Sequence, residues 1–199
     1  NMEVTAISRK SGSYIVDFSN GEKFQSNVVI NCAGLFCENV ARLAGIATAK
    51  SNLRIHWCKG EYYKTTRIKG IKHLIYPVPD PRGISLGIHL SINLNGEVRF
   101  GPNAYYIDEI NYRMDESYKK EFLEAVNRYI GIAGDDLNPD DCGIRAKLQG
   151  ANEGFRDFYI RDEAEKGLPG FINLMGIESP GLTCSLAIAE YITSLVRQI

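Results

Sequence analysis

The chain has 199 residues, 44% hydrophobic and 24% charged, with a formal net charge of −1, enough for one sizeable core or two small domains sharing an interface. With no basic excess to hold a phosphate backbone, nucleic acid is not an expected partner. No apolar run approaches the roughly 18 residues of a membrane span, and the polar opening NMEVTAISRKSGS is unlike a secretory signal, so no transmembrane segment is expected.

GSYIVDFSNGEKFQSNVVINCAG alternates through Tyr14, Val16 and Phe18, turns at Asn20-Gly21 and ends in Val28, Val29 and Ile30. It reads as a hairpin feeding a buried strand. Ala33-Gly34 follow, then LFCENVARLAGI, with Leu35, Val40, Leu43 and Ala44 near helical spacing and Gly45 as a stop. A strand, a glycine turn and a short helix make an α/β unit.

From about Leu53 to Ala104 short strands succeed one another: RIHWCKGEYYKTT, HLIYPVPD, SLGIHLSINL and EVRFGPNA, separated by turn residues. That spacing predicts an antiparallel sheet. DESYKKEFLEAVNRYIG then places Tyr118, Phe122, Val126, Tyr129 and Ile130 on one helical face, with acids at its start and Gly131 at its end. The tail holds CGIRAKLQG, DFYIRDE, the strand GFINLMG and the helix of GIESPGLTCSLAIAEYI. The fold class expected is α+β: an α/β layer in segments 1–50 and 142–199, with an antiparallel sheet and packed helices at 51–141 inserted between them.

The five cysteines, Cys32, Cys37, Cys58, Cys142 and Cys184, are widely spread and include no CxxC. They fit neither a disulfide framework nor a zinc site, so no metal is expected. Reduced thiols in an intracellular setting, cytoplasm or organelle matrix, are the expectation.

Residues 176–183 gather small residues at a helix mouth, where backbone N–H groups lack partners and a partial positive charge favours electron-rich oxygen. Ser179 and Pro180 capping and starting a helix would explain the same residues. Arg145 and Lys147 share one side of an extended segment and could clamp a carboxylate, arginine through two parallel hydrogen bonds. A solvated strand edge would carry the same residues.

Taken in order, VVINCAG at 28–34, YPVPDPRG with LGIHL at 76–90, GPNA at 101–104, GIRAKLQG at 143–150 and GIESPGLTCSLAIAEYI at 176–192 resemble the FAD-dependent oxidoreductases of the D-amino acid oxidase and glycerol-3-phosphate dehydrogenase type. IYPVPD, GIHL, GPNA and GIR.KLQG are most similar to L-2-hydroxyglutarate dehydrogenases. Such proteins begin with a strand, a GxGxxG turn and a helix that hold the ADP part of FAD, and no GxGxxG occurs in these residues. The stretch therefore resembles a C-terminal portion of a longer enzyme, with 1–50 and 142–199 as parts of the FAD-binding domain and 51–141 as the substrate domain. By itself it is expected to be inactive.

The resemblance implies that Ala33 and Gly34 let the backbone pass close to FAD. It makes Gly176, Ser179, Pro180, Gly181, Leu182 and Thr183 the seat of the flavin pyrimidine edge, with N–H groups from residues 181–183 stabilising the reduced state. Arg145 would hold the substrate carboxylate. His89 matches a histidine of the hydroxyglutarate dehydrogenase pattern and would take the hydroxyl proton as hydride leaves C2; a sheet-face histidine bonded to a carbonyl is the alternative. Tyr76 and Asn103 would line the same pocket, or serve as a packed aromatic and a turn former. A dicarboxylate needs a second cation, with Lys147, Lys59 and Arg82 as unranked candidates. The implied function is oxidation of an L-2-hydroxy acid by hydride transfer to flavin, re-oxidised by an unidentified electron acceptor. Glycerol-3-phosphate or an amino acid as substrate, and a non-catalytic binding or assembly module, are the alternatives.

Overall fold

The computed structural model describes residues 2–78 and 87–199, and the chain divides into two units. The first contains residues 1–56, 146–150 and 156–199, and the second residues 57–145 and 151–155. The chain passes from the first unit to the second after residue 56, returns after residue 145, and crosses once more for residues 151–155. Leu53 and Ile55 belong to the core of the first unit, and Arg156 closes it locally, its guanidinium donating to the carbonyls of Asn52 (2.6 Å) and Leu148 (2.9 Å).

In the first unit, β1 (Val4–Lys10), β2 (Ser13–Phe18) and β3 (Lys23–Ser26) form an antiparallel meander. Alternation along β2 turns Tyr14 inward, where it is fully buried, donates to the Pro169 carbonyl at 3.0 Å and lies 6.1 Å from the Phe171 ring. A second sheet has the order β10 (Tyr159–Glu163), β11 (Leu168–Met175), β4 (Val29–Asn31), and β11 runs parallel to β4.

Strand β11 is covered on both faces, which is why GFINLMG reads as a nearly continuous apolar run. Phe171 and Met175 enter the core shared with Tyr14 and α1 (Cys37–Leu43), while Ile172 and Leu174 meet Ile188, Ile192, Leu195 and Val196 of α3 (Ser185–Val196). Gly170 has φ +87, and a Cβ there would lie 2.7 Å from the Asn27 carbonyl oxygen. Only glycine permits that approach.

The second unit is built on an antiparallel sheet. Strand β5 (His56–Thr65) pairs through its C-terminal residues with β7 (Val98–Gly101), and β7 with β6 (His89–Ile92). Its N-terminal residues pair with β8 (Tyr105–Ile107), and β9 (Asn138–Lys147) also pairs with β5. Helix α2 (Lys119–Val126) follows a turn in which the Asp115 carboxylate accepts the Ser117 N–H at 3.0 Å. It buries Phe122 and Val126 against Tyr63, Leu90 and Phe100, with the Phe122 ring 4.7 Å from that of Tyr63.

Three elements differ from the sequence reading. HLIYPVPD forms no strand in its described part, only the bridge Ile75 to Leu90, because Pro77 has no N–H to extend it. Helix α2 ends at Val126, and Tyr129 and Ile130 reach the same core from the turn beyond. Helix α3 starts at Ser185 rather than at the SPG triplet. A tight turn comes first, with the Gly181 N–H on the Glu178 carbonyl (2.5 Å) and the Cys184 N–H on the Pro180 carbonyl (3.1 Å). All five cysteines are free thiols.

Candidate functional site

In the second unit, the β6–β7 register sets His89 opposite Gly101. A Cβ on Gly101 would come within 2.9 Å of the Tyr62 ring, so this glycine leaves room for an aromatic beside the histidine. Tyr76 stacks on the imidazole, with centroids 4.4 Å apart and planes 24° from parallel. His89 Nδ1 lies 3.2 Å from the Gly87 carbonyl oxygen. A carbonyl only accepts, so in the neutral ring Nδ1 carries the proton and Nε2 presents its lone pair. Burial holds the His89 pKa below its ordinary 6.5, and the Arg145 charge pushes the same way, against the Gly87 hydrogen bond.

Arg145, half-buried on β9, also acts on Tyr62, whose phenol is raised by burial and drawn down by Arg145 and Arg99. The Arg99 guanidinium lies 4.6 Å from the Tyr62 ring centroid and is paired with Asp140 and Asp141. His89 stacks on Tyr76, Tyr62 lies across Gly101 from His89, and the Arg145 charge acts on both His89 and Tyr62. Tyr62 is the member that sequence reasoning missed. Its signal was the period-two pattern of KGEYYKT, which turns Tyr63 into the core and Tyr62 to the opposite face.

The other candidates have structural partners. Asn103 is buried, and its Oδ1 accepts the Glu61 N–H at 2.8 Å, which ties it to β5. Lys59 is buried against Glu61 at 3.1 Å and donates to the Arg113 carbonyl. Lys147 is buried with its ammonium 2.6 Å from Glu178 Oε1, so it joins a carboxylate of the first unit. Arg82 lies outside the described residues. No cluster of metal-ligating side chains occurs among the described residues.

In the first unit, Asn31 organises the turn after β4. Its Oδ1 accepts the Ala33 N–H at 3.2 Å, and its Nδ2 donates to the Cys37 carbonyl (2.8 Å) and to Asn173 Oδ1 (2.7 Å). Asn173 Nδ2 in turn donates to Glu163 Oε1 at 3.0 Å. Ala33 and Phe36 line a cleft of about 830 Å3 with Met2, Val4, Val40 and Leu43. Gly34 has φ +55 and open space where a Cβ would stand. Cys32 is exposed, whereas Cys37 is buried with its thiol pushed up to about 11 by burial.

At the turn before α3, Gly176 has φ +69, and a Cβ there would press on Leu148 Cγ at 2.7 Å. The Gly181 N–H, expected to point at a ligand, is instead taken by Glu178. The N–H groups of Leu182 and Thr183 have no acceptor among the described residues, and both side chains are exposed. Two unpartnered backbone donors on an exposed turn, together with open glycine backbone at Gly34, fit the electron-rich edge and flat face of a ring cofactor.

The chain combines a parallel β11–β4 pair next to a glycine turn in one unit with an antiparallel sheet that carries Arg145 and His89 in the other. The model of the family described as FAD dependent oxidoreductase matches residues 1–195, and the chain belongs to that family. A mitochondrial L-2-hydroxyglutarate dehydrogenase of Arabidopsis thaliana is 36% identical over 181 residues, covering 84% of this chain and 37% of the relative. A glycerol 3-phosphate dehydrogenase of Caloramator mitchellensis is 26% identical over 207 residues, 99% of this chain and 39% of the relative. Among solved structures, the FAD-bound L-alpha-glycerophosphate oxidase of Mycoplasma pneumoniae superposes with a TM-score of 0.78 at 24% identity, covering 98% of this chain and 50% of that one. That likeness concerns the fold. The chain spans half or less of the length of each of these proteins. No helix among the described residues is long and apolar enough to cross a membrane.

Proposed function

We propose that this chain is the substrate-handling portion of an FAD-dependent dehydrogenase that oxidises an L-2-hydroxy acid, L-2-hydroxyglutarate by preference. The observation that carries the reading is the His89 ring itself, stacked on Tyr76 with Nδ1 on the Gly87 carbonyl, which leaves Nε2 as the free lone pair of a ring whose pKa burial and the Arg145 charge lower. Bound FAD supplies the acceptor for the hydride that leaves C2. The chain's own residues do the rest. Arg145 holds the C1 carboxylate by paired hydrogen bonds. His89 Nε2 takes the hydroxyl proton, leaving a 2-oxo acid. Tyr76 shields the imidazole from water and keeps it neutral.

Ala33, Gly34, Ser179, Pro180, Leu182 and Thr183 are the residues of the first unit that would border FAD, the last two through their N–H groups. An external electron acceptor closes the cycle. An organelle matrix is the preferred compartment, in keeping with the mitochondrial relative.

The preference for a hydroxy acid over glycerol-3-phosphate rests on the relatives, the L-2-hydroxyglutarate dehydrogenase being 36% identical and the glycerol 3-phosphate dehydrogenase 26%. The test is anaerobic mixing of the full-length, FAD-loaded protein with each candidate. Bleaching of the flavin band by L-2-hydroxyglutarate is expected, and bleaching by glycerol-3-phosphate alone would overturn the choice.

A further inference from the structure

A dicarboxylic 2-hydroxy acid brings a second carboxylate, and two cations that could meet it, Lys59 and Lys147, are buried against Glu61 and Glu178. Arg99 is placed differently. In the β6–β7 register it stands opposite Ser91, one row along from the His89–Gly101 pair, and in the β5–β7 register it stands opposite Lys64. Side chains two apart on a strand share a face. Arg99 therefore lies on the face that carries His89 and Tyr62, while Phe100, Leu90 and Tyr63 point to the core.

The Arg99 side chain is 23% exposed, and its neighbours fix its direction. Its guanidinium carbon lies 4.6 Å from the Tyr62 ring centroid. The same ring is what a Cβ on Gly101 would meet at 2.9 Å, so Tyr62 touches both rows and draws the guanidinium toward the row of His89. Asp140 lies at Arg99 Nε, but this one carboxylate is also 3.2 Å from the Lys64 ammonium. Two cations on one anion leave this part of the face positive. Asp141 stands 3.9 Å from Nη2, beyond hydrogen-bond distance, and its side chain is 74% exposed, where water screens it. Arg99 thus keeps N–H donors without an acceptor among the described residues.

The spacing suits a short diacid. Two residues along a strand span about 6.5–7 Å, and the carboxyl carbons of an extended five-carbon chain stand about 5 Å apart. A guanidinium leaning back over Tyr62 closes that difference.

We infer that Arg99 is the specificity-determining residue for the distal carboxylate of a dicarboxylic 2-hydroxy acid, with Tyr62 and Asp140 setting its direction. The inference rests on the reading that His89 and Arg145 handle the 2-hydroxy acid end.

The experiment compares L-2-hydroxyglutarate with L-2-hydroxypentanoate, the same chain without the second carboxyl group, on the full-length FAD-loaded protein. The two kcat/KM values give a preference ratio. Wild type should prefer the dicarboxylate, and Arg99→Met should lower the ratio at least about 30-fold, as expected for a lost charge-assisted pair. Arg99→Lys keeps the charge beside Asp140 but not the planar fork, and should lower it by about 3–10-fold. Glutarate, which has no hydroxyl to oxidise, should lose affinity for Arg99→Met by a factor similar to the ratio, read by titrating the flavin absorbance.

An arginine with a merely structural role would impair both substrates alike, so a ratio within about twofold of wild type in Arg99→Met overturns the inference. If Arg99→Met does not fold, Arg99→Lys decides on the same ratio. A wild-type protein that oxidises both compounds equally well overturns this inference and leaves the hydroxy-acid reading standing, whereas one that oxidises neither overturns that reading and the inference with it.

Discussion

Tyr76 lies flat against the His89 imidazole, ring centroids 4.4 Å apart. The stack covers one face of a ring whose other hydrogen-bonding duty, Nδ1 to the Gly87 carbonyl, fixes the tautomer. Burial is the main reason the His89 pKa falls below 6.5. A base works only when deprotonated, so kcat/KM of the full-length enzyme should hold at neutral pH and fall as pH drops through that lowered pKa. Tyr76→Ala admits water and should move the acid limb up toward 6.5. His89→Gln should cost about 10²–10⁴-fold in kcat. A pH series from 5 to 8 on the three proteins measures all of this, and an acid limb unmoved by Tyr76→Ala would contradict the shielding role.

Arg145→Ala should raise KM for the hydroxy acid by the loss of a charge-assisted carboxylate pair, roughly 2–5 kcal/mol. Arg145→Lys should recover only part of it, because an ammonium lacks the planar fork. Steady-state kinetics with kcat and KM separated is the measurement. An unchanged KM in Arg145→Ala removes the residue from the site.

Gly101 has φ +135, and a Cβ there would stand 2.5 Å from the Glu61 carbonyl oxygen. Both obstacles are backbone, so no side-chain rotation relieves them. Gly101→Ala should destabilise the second unit by at least about 1–3 kcal/mol, read as a lower urea midpoint. It should also disturb Tyr62 and His89, which flank the glycine.

Asn31→Ala removes the donor to Asn173 Oδ1 and the acceptor of the Ala33 N–H. Each buried group left unsatisfied costs about 1–3 kcal/mol. Denaturant unfolding should report that loss, and FAD affinity of the full-length protein should fall with it if Ala33 and Gly34 border the cofactor.

Much of this architecture is legible in the sequence where side-chain period reports burial. Tyr14, Val16 and Phe18 announce a strand with one buried face, and GFINLMG announces one with two. Phe122 and Val126 announce the helix over the second sheet. Local pattern does not report where a buried charge finds its counter-ion. Lys147 shares a strand face with Arg145 by period two, yet its partner Glu178 is 31 residues away, a pairing that depends on how the chain returns. Tyr62 was missed for a related reason: its ring lies over Gly101, opposite His89, only because that glycine, on a different strand, has no side chain. The α3 boundary moved because a proline and a glycine close a turn before helical hydrogen bonding begins.

Strand β11 is flanked by β10 and β4 and covered on both faces, and Asn173 lies in its middle. Its amides from Phe171 to Met175 can meet solvent only when the first unit opens as a whole, so their hydrogen exchange should set the upper bound of protection for that unit. Asn31 and Glu163 are bonded to this strand through Asn173 and inherit its slow clock. The glycine turn at Ala33 and Gly34 is thereby a surface feature anchored to the strand expected to open last in its unit, which would keep an exposed turn stiff without burying it.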